Sequence, residues 1–220
     1  MKATALILSL CALTLPAVSH AQSRRHPSRP ELIKAGQSVG KLRLGDTRER
    51  VLQLFPKKKS DEEYNYGPPC PRSEIHWLDF AREANGLFVY LKDGRVFQIQ
   101  AETPRFSTAE GITADSPPGV VRRNYRNIET YVLMGSGSEA VGGRNLIYWV
   151  DRHQGIAFDF YYDRQLRKRY VKSVIVFEPG TEFQPEGCGA DPQQWRKLKP
   201  FATEVPEKRG ADAERRALGR

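Results

Sequence analysis

The sequence predicts an α+β fold in which two tandem units, each a helix on antiparallel strands, form one continuous sheet with the helices on one face. The main observation is a recurrence at a spacing of 69 residues. Gly45-Asp46-Thr47 with Val51 recurs as Ala114-Asp115-Ser116 with Val120, and Gly86-Leu87-Phe88-Val89 recurs as Gly155-Ile156-Ala157-Phe158. Matches at one fixed spacing are typical of a duplicated unit. The second observation is that a helical pattern precedes strand-like segments in each copy.

The first unit opens with a short predicted helix. Asp46 is placed to cap its N-terminus, and Glu49 stands at the capping-box spacing. An apolar stripe follows at residues 51–55, and Pro56 ends the helix. In the second unit Ser116 is the expected cap, and two prolines fill the first turn, where a missing amide costs little.

Strands follow each predicted helix. The expected strands are residues 75–80, 86–91 and 95–101 in the first unit, and 131–134, 146–150, 155–162 and 171–177 in the second. Asp93-Gly94 predicts a tight hairpin turn in the first unit. Residues 163–169 read as a charged turn in the second unit.

The alternation of side chains assigns the two faces of the sheet. Leu87, Val89 and Leu91 correspond to Ile156, Phe158 and Phe160, and these six are expected to face the helices. The opposite face is expected to be mixed and wet, so its aromatic side chains predict a protein-binding surface. That predicted surface consists of Phe88, Tyr90, Asp159 and Tyr161.

The first residues predict export. Met1-Lys2 is followed by an apolar stretch and by Ser19-His20-Ala21, so residues 1–21 read as a secretory signal peptide cut after Ala21. The apolar run is short and contains Pro16, which disfavours a membrane span of about 20 residues. A lipoprotein modified at Cys11 is the alternative, although the preceding Leu8-Ser9-Leu10 places a bulky leucine where a small residue is preferred. The expected protein is periplasmic or secreted, with no transmembrane segment in the mature chain.

The remaining chain divides into four segments by composition. Residues 22–35 read as a flexible lead-in, 36–105 and 106–180 as the two repeats, and 181–220 as an irregular tail of mixed charge. The mature chain keeps Cys70 and Cys188, which predict a disulfide in an oxidising compartment. Two free thiols are the alternative. A catalytic cysteine is disfavoured because Cys70 lies in a proline-rich loop with no helix N-terminus and no evident basic partner to lower its pKa.

The layout resembles the beta-lactamase inhibitor protein family, in which two copies of a helix-and-strand unit form an exported protein of about this size. A single unit also resembles the small outer-membrane assembly lipoprotein family, whose helix begins near a Gly-x-Ser/Thr-x-x-x-Val stretch. The matching residues are Gly45-Asp46-Thr47 through Val51 and Ala114-Asp115-Ser116 through Val120. The resemblance covers residues 36–178 and implies binding to a protein partner instead of catalysis. The mature chain lacks the lipidation cysteine of the one family and the two disulfides of the other.

The sequence predicts no enzyme, no metal site and no cofactor. His26 lies in the lead-in, His76 reads as a strand residue, and Asp151 with His153 reads as a solvated turn short of the ligands a metal needs. The glycine-rich residues 135–143 precede a strand, whereas a phosphate loop precedes a helix. Asp159 and Asp163 could do acid–base work, so a hydrolase with an unrecognised site stays an alternative.

Charge adds a second binding hypothesis. The chain carries 35 Lys and Arg against 26 Asp and Glu. Its densest basic stretch predicts an anion-binding patch for envelope polymers or lipids, and export disfavours nucleic acid as a partner. A generic solubilising surface is the alternative. The residues of this predicted patch are Arg164, Arg167, Lys168, Arg169 and Lys172. The leading prediction is a non-enzymatic exported module that binds an envelope or secreted protein.

Overall fold

The protein is mostly β, so the predicted α+β fold with helices along one face is wrong. The computed structural model describes residues 30–55, 63–65, 75–79, 86–134, 145–163, 165–185 and 195–203. Among these residues there are two helices, α1 (Arg48–Leu54) and α2 (Pro118–Asn124). The strands in the same part of the chain are β1 (Glu31–Lys34), β2 (Ser38–Val39), β3 (Leu42–Arg43), β4 (Glu63–Asn65), β5 (Ile75–Asp79), β6 (Leu87–Lys92), β7 (Arg95–Ala101), β8 (Phe106–Thr108), β9 (Glu129–Met134), β10 (Asn145–Asp151), β11 (Ile156–Asp163), β12 (Lys168–Phe177) and β13 (Trp195–Leu198).

These strands form two sheets. The large sheet has nine strands in the order β13-β9-β10-β11-β12-β7-β6-β5-β4, and every pairing in it is antiparallel. The small sheet has the order β3-β2-β1-β8, with a parallel pairing between β1 and β8. No helix among the described residues is long and apolar enough to cross a membrane.

Each helix is only seven residues long and gives the core a single fully buried residue, Val51 in α1 and Val121 in α2. One face of the large sheet packs against these valines and also against the small sheet, which contributes Ile33, Val39 and Leu42. The side chains expected to face the helices do lie in this main cluster, from Leu87 through Phe160. The helices therefore cover only part of a face that strands also cover.

The opposite face is not wet in the second half of the sheet. Tyr148, Ile175 and Phe177 pack there against Phe183, with Trp195 at the margin. Both Phe183 and β13 belong to the tail that was expected to be irregular. The last four residues of β12 are all apolar and buried, which is the pattern of a strand covered on both faces. The prediction of an open face fails because the chain after β12 returns across it.

The two halves of the large sheet repeat one order of elements, a helix followed by four strands. In each half, the backbone before the helix pairs with the strand that ends the unit. Gly45 N–H donates to Val96 C=O at 2.7 Å, and Asp115 N–H donates to Val171 C=O at 2.8 Å. The helices are thus related by a spacing of 70, so the structural counterpart of Val51 is Val121 and not the expected Val120.

The helix caps also differ from expectation. Thr47 is the N-cap of α1 and its side chain accepts the Arg50 N–H at 3.3 Å. Asp46 instead accepts the Arg43 N–H at 2.8 Å, so it closes the preceding turn. Pro117 occupies the cap position of α2 without a side-chain bond, and Ser116 Oγ accepts the Thr113 N–H at 3.0 Å.

Candidate functional site

The predicted protein-binding face is not one exposed surface. Tyr90 is 1% exposed and Asp159 is 3% exposed, while Phe88 and Tyr161 are half-buried. Alternation along the strands correctly separates these residues from the main core, but it cannot show that the second face is covered as well. The four residues therefore do not form an accessible binding surface, and this prediction is wrong.

Asp159 instead joins β11 to β12. Its Oδ1 accepts both the backbone N–H and the Oγ–H of Ser173, each at 2.7 Å. Burial raises the pKa of the Asp159 carboxyl above its usual range, although nearby Lys172 and the Ser173 bonds act in the opposite direction. The aspartate sits where the register of β11 and β12 shifts. Its contacts give it a structural role at this bulge.

A chain of polar contacts links the two halves beside Asp159. Tyr90 Oη donates to Gln100 Oε1 at 3.2 Å, and Gln100 Nε2 donates to Glu102 Oε1 at 2.8 Å. Lys172 Nζ lies 3.3 Å from the same Glu102 oxygen. Lys172 was expected to bind an external anion, but this ion pair engages it within the protein.

The hairpin of β11 and β12 is longer than its counterpart in the first half. Leu91 pairs with Val96 in the β6–β7 hairpin, and Phe160 pairs with Val171 in the β11–β12 hairpin. Four residues connect the first pair and ten connect the second, so the second hairpin carries six extra residues. We call residues 161–170 the hairpin extension. The strands continue into it, so the expected charged turn of residues 163–169 is in fact shorter.

The extension projects beyond the sheet. The pairing of β10 with β11 ends at Phe160, and β7 pairs with β12 only from Val174 to Phe177. Within the extension, Tyr161, Tyr162 and Asp163 pair with Tyr170, Arg169 and Lys168 respectively. No other strand in the described part of the chain pairs with these residues.

Aromatic contacts stiffen the base of the hairpin extension. The rings of Tyr161 and Tyr170 stack with their centroids 5.6 Å apart and 29° between their planes. Tyr161 Oη donates to Asp115 Oδ1 at 3.3 Å, which ties the hairpin to the loop before α2. Partial burial and the Asp115 carboxylate both raise the pKa of the Tyr161 hydroxyl. Asp115 itself has a left-handed backbone, with φ of 71°.

The tip of the extension is ordered by Asp163. Its Oδ1 accepts the N–H groups of Gln165 at 2.8 Å and Leu166 at 2.9 Å, and this fixes the turn. Leu166 is 59% exposed and Tyr162 is 39% exposed. Of the three large hydrophobic side chains exposed among the described residues, two therefore lie on this extension; the third is Leu32.

The predicted anion-binding patch does not form one surface. Lys168 and Arg169 are neighbours on β12, so their side chains point to opposite faces of the hairpin. The Arg169 guanidinium lies 5.4 Å from the centre of the Tyr162 ring. Arg167 is exposed in the turn, and Arg164 lies outside the described residues. In the described part of the tip, Arg167 and Lys168 are the only two of these five basic residues that are exposed next to Leu166.

The other predicted positions do not form a site. Cys70, Cys188, His26 and residues 135–144 lie outside the described residues, so the disulfide stays a prediction. His153 is exposed in a turn that the buried Asp151 closes by accepting the Gln154 N–H at 3.1 Å. Among the described residues, no group of three or more His, Cys, Asp or Glu is placed to hold a metal.

A second cluster was missed in the sequence, and it closes the sheet edge. Tyr131 stacks on Trp195 at 4.8 Å, and Tyr131 Oη donates to Glu129 Oε2 at 2.8 Å. Arg152 lies 3.0 Å from the same Glu129 oxygen, and Lys197 pairs with its other oxygen. Ion pairing and hydrogen bonding, led by the bond from Lys197, lower the pKa of the Glu129 carboxyl. These contacts fasten β13 to β9, so the cluster is structural.

Comparison with known proteins gives no family. No family model matches the chain, and no curated protein matches its sequence. Among solved structures, the chain is similar to the uncharacterized protein yfeY from Escherichia coli, with 12% identity and a TM-score of 0.44. That match covers 68% of this chain and 100% of the other. The function proposed below therefore rests on geometry and sequence.

Proposed function

We propose that this protein is an exported, non-enzymatic binding module that contacts an envelope or secreted protein through the hairpin extension. The observation that carries the proposal is the contrast between the hairpins. The connection in the β11–β12 hairpin is six residues longer than that in the β6–β7 hairpin. The longer hairpin carries the exposed Tyr162 and Leu166. The sheet does not need these residues, because they lie beyond its last shared pairings.

The shape of the hairpin extension suits binding to a protein. The stacked tyrosines, the Tyr161 bond to Asp115 and the Asp163 turn hold it in one conformation before contact. A preformed loop loses little conformational entropy when it binds, so more of its contact energy appears as affinity. Burial of a leucine side chain contributes about 1.5–3 kcal/mol, and tyrosine is among the residues that most often dominate interfaces.

The test is to exchange one hairpin connection for the other. Residues 161–170 are replaced by the Lys-Asp-Gly-Arg connection of residues 92–95, which restores the shorter hairpin. A photoreactive diazirine analogue of leucine, which keeps the apolar side chain, replaces Leu166 in the native hairpin, and a control carries it at the exposed Leu32. We expect a protein adduct in the envelope or secreted fraction from position 166 but not from position 32.

Two results would contradict the proposal. One is the absence of any position-specific adduct from position 166. The other concerns competition for the adduct. It is the result in which untagged full-length protein does not reduce the yield of the adduct, whereas the hairpin-exchanged variant does reduce it. Circular dichroism and urea unfolding of the exchanged variant show whether the sheet is kept.

A second candidate is electrostatic binding to an anionic envelope polymer or lipid. The exposure of Arg167 and Lys168 at the tip favours it. Binding of this kind weakens with added salt, because screening acts over about 8–10 Å at moderate ionic strength. It predicts little dependence on Leu166, whereas the protein-binding proposal requires that side chain.

A further inference from the structure

We infer that the partner surface that receives the hairpin extension is acidic and has an apolar recess for Leu166. This inference rests on the proposed function and names the chemistry of the partner. Three features of the tip support this inference: its charge, the geometry of its turn and the position of Leu166 beside basic residues.

The exposed charge of the tip is positive. Its described residues, 163 and 165–168, include two exposed basic residues and one acidic residue. The acidic residue is Asp163, and its Oδ1 already accepts hydrogen bonds from the Gln165 and Leu166 N–H groups of the same turn. Arg167 and Lys168 follow Leu166 directly and are exposed. A partner that buries Leu166 must therefore approach these two cations, and carboxylates are the protein groups that complement them.

The fixed geometry favours a protein recess over a lipid surface. The Asp163 carboxylate accepts the Leu166 N–H, and Arg167 has a left-handed φ of 51°. A rigid turn with one protruding leucine matches a shaped pocket, whereas insertion into a bilayer gains nothing from a fixed shape. A single leucine with a few basic residues is also a weak lipid anchor, since stable anchoring takes two strong signals.

The experiment measures binding of the full chain to three defined probes at low and at moderate salt. The probes are a random copolymer of glutamate and tyrosine, polyglutamate of equal length, and vesicles of phosphatidylcholine with phosphatidylglycerol. The copolymer offers carboxylates together with apolar surface. We expect it to bind best, and its affinity to fall roughly tenfold on raising the salt.

Matched variants separate the tip from the overall charge. The double variant Arg167→Glu with Lys168→Glu is compared with Lys34→Glu with Lys41→Glu, which makes the same change in net charge at exposed positions on the small sheet. Leu166→Ala is compared with Leu32→Ala. Each tip variant should bind the copolymer at least about fivefold more weakly than its control.

The inference is supported if the protein binds the copolymer best and if both tip variants bind the copolymer more weakly than their controls. Failure to bind the copolymer, stronger binding to the vesicles, or equal affinity of the tip and control double variants overturns it. An adduct at position 166 in the crosslinking test together with any of these results would leave the proposed function standing and remove only the acidic partner. Absence of that adduct removes the proposed function itself.

Discussion

The β6–β7 and β11–β12 hairpins begin alike and end differently. Each begins after a left-handed glycine, Gly86 with φ of 59° and Gly155 with φ of 67°. Each has a register shift at the same place, between Tyr90 and Leu91 in one and between Asp159 and Phe160 in the other. Beyond that shift, the first hairpin closes at once and the second continues for six more residues.

The difference shows where the fold constrains the sequence and where it does not. As far as the Leu91–Val96 and Phe160–Val171 pairs, the inward side chains of both hairpins lie in the shared core. The hairpin backbone at these pairs also bonds to the segment before each helix. Past those pairs, Lys92 and Arg95 of the first hairpin still pair with Ile75 and Thr47, whereas no other strand among the described residues pairs with the hairpin extension of the second. We propose that one ancestral unit was duplicated and that the second copy acquired its binding element at this unconstrained end.

The largest expected effect comes from the glycines that begin the two hairpins. A Cβ at Gly155 would collide with the Phe177 carbonyl oxygen, whereas a Cβ at Gly86 would meet the side chain of Thr103. Gly94, also left-handed, has open space around it. We expect Gly155→Ala to lower the free energy of unfolding by about 3 kcal/mol or more, Gly86→Ala by about 2, and Gly94→Ala by about 1. Urea unfolding measures all three.

The comparison would break if Gly155→Ala were no more costly than Gly94→Ala. That result would mean that the backbone around Phe177 yields easily, so the start of the second hairpin would not be fixed in the way that the first is.

The next effect concerns the residue at each register shift, which is Tyr90 in one hairpin and Asp159 in the other. Burial raises the pKa of Asp159 in the folded protein. Asp159 therefore makes its full contribution to the free energy of unfolding below its unfolded-state pKa of about 3.9. That contribution is lost as the pH rises through the higher pKa of Asp159 in the folded protein. Asp159→Asn removes this dependence and keeps an oxygen acceptor for Ser173.

We expect the free energy of unfolding of Asp159→Asn, relative to the native protein, to move in favour of the variant as the pH rises. Urea unfolding at several values from pH 4 to 8 measures it, and Asp93→Asn in the turn of the other hairpin is the control. A relative stability that moves against Asp159→Asn as the pH rises would show that the Ser173 bonds and Lys172 outweigh the cost of burial.

The smallest effect lies at the base of the hairpin extension. Tyr161→Phe removes the bond to Asp115 and keeps the ring that stacks on Tyr170. Because the site is partly open to solvent, we expect a loss of only about 0.5–1 kcal/mol in the free energy of unfolding. Tyr162→Phe, at an exposed ring, is the control and should cost less. A loss above about 2 kcal/mol would place the Tyr161 hydroxyl in the core and contradict a projecting extension.

Local sequence patterns predicted much of the sheet. The seven expected strands correspond to β5, β6, β7, β9, β10, β11 and β12 and fall near their expected positions, because alternation and the Asp93-Gly94 turn act over a few residues. The inward set from Leu87 to Phe160 was predicted for the same reason and is confirmed in the main core. The short strands β1 to β4, β8 and β13 were missed, since two to four residues carry no recognisable period.

The sequence by itself determined which side chains alternate, where each hairpin turns and how much longer the second connection is. Only the tertiary structure decided that Phe183 and Trp195 return across the second face, and that Tyr90 and Asp159 of the predicted binding surface are buried. It also decided that Tyr162 and Leu166 are exposed on the hairpin extension, which pairs with no other strand among the described residues. Alternation sorts side chains between two faces, but what covers a face depends on segments far along the chain, and no local pattern contains that information.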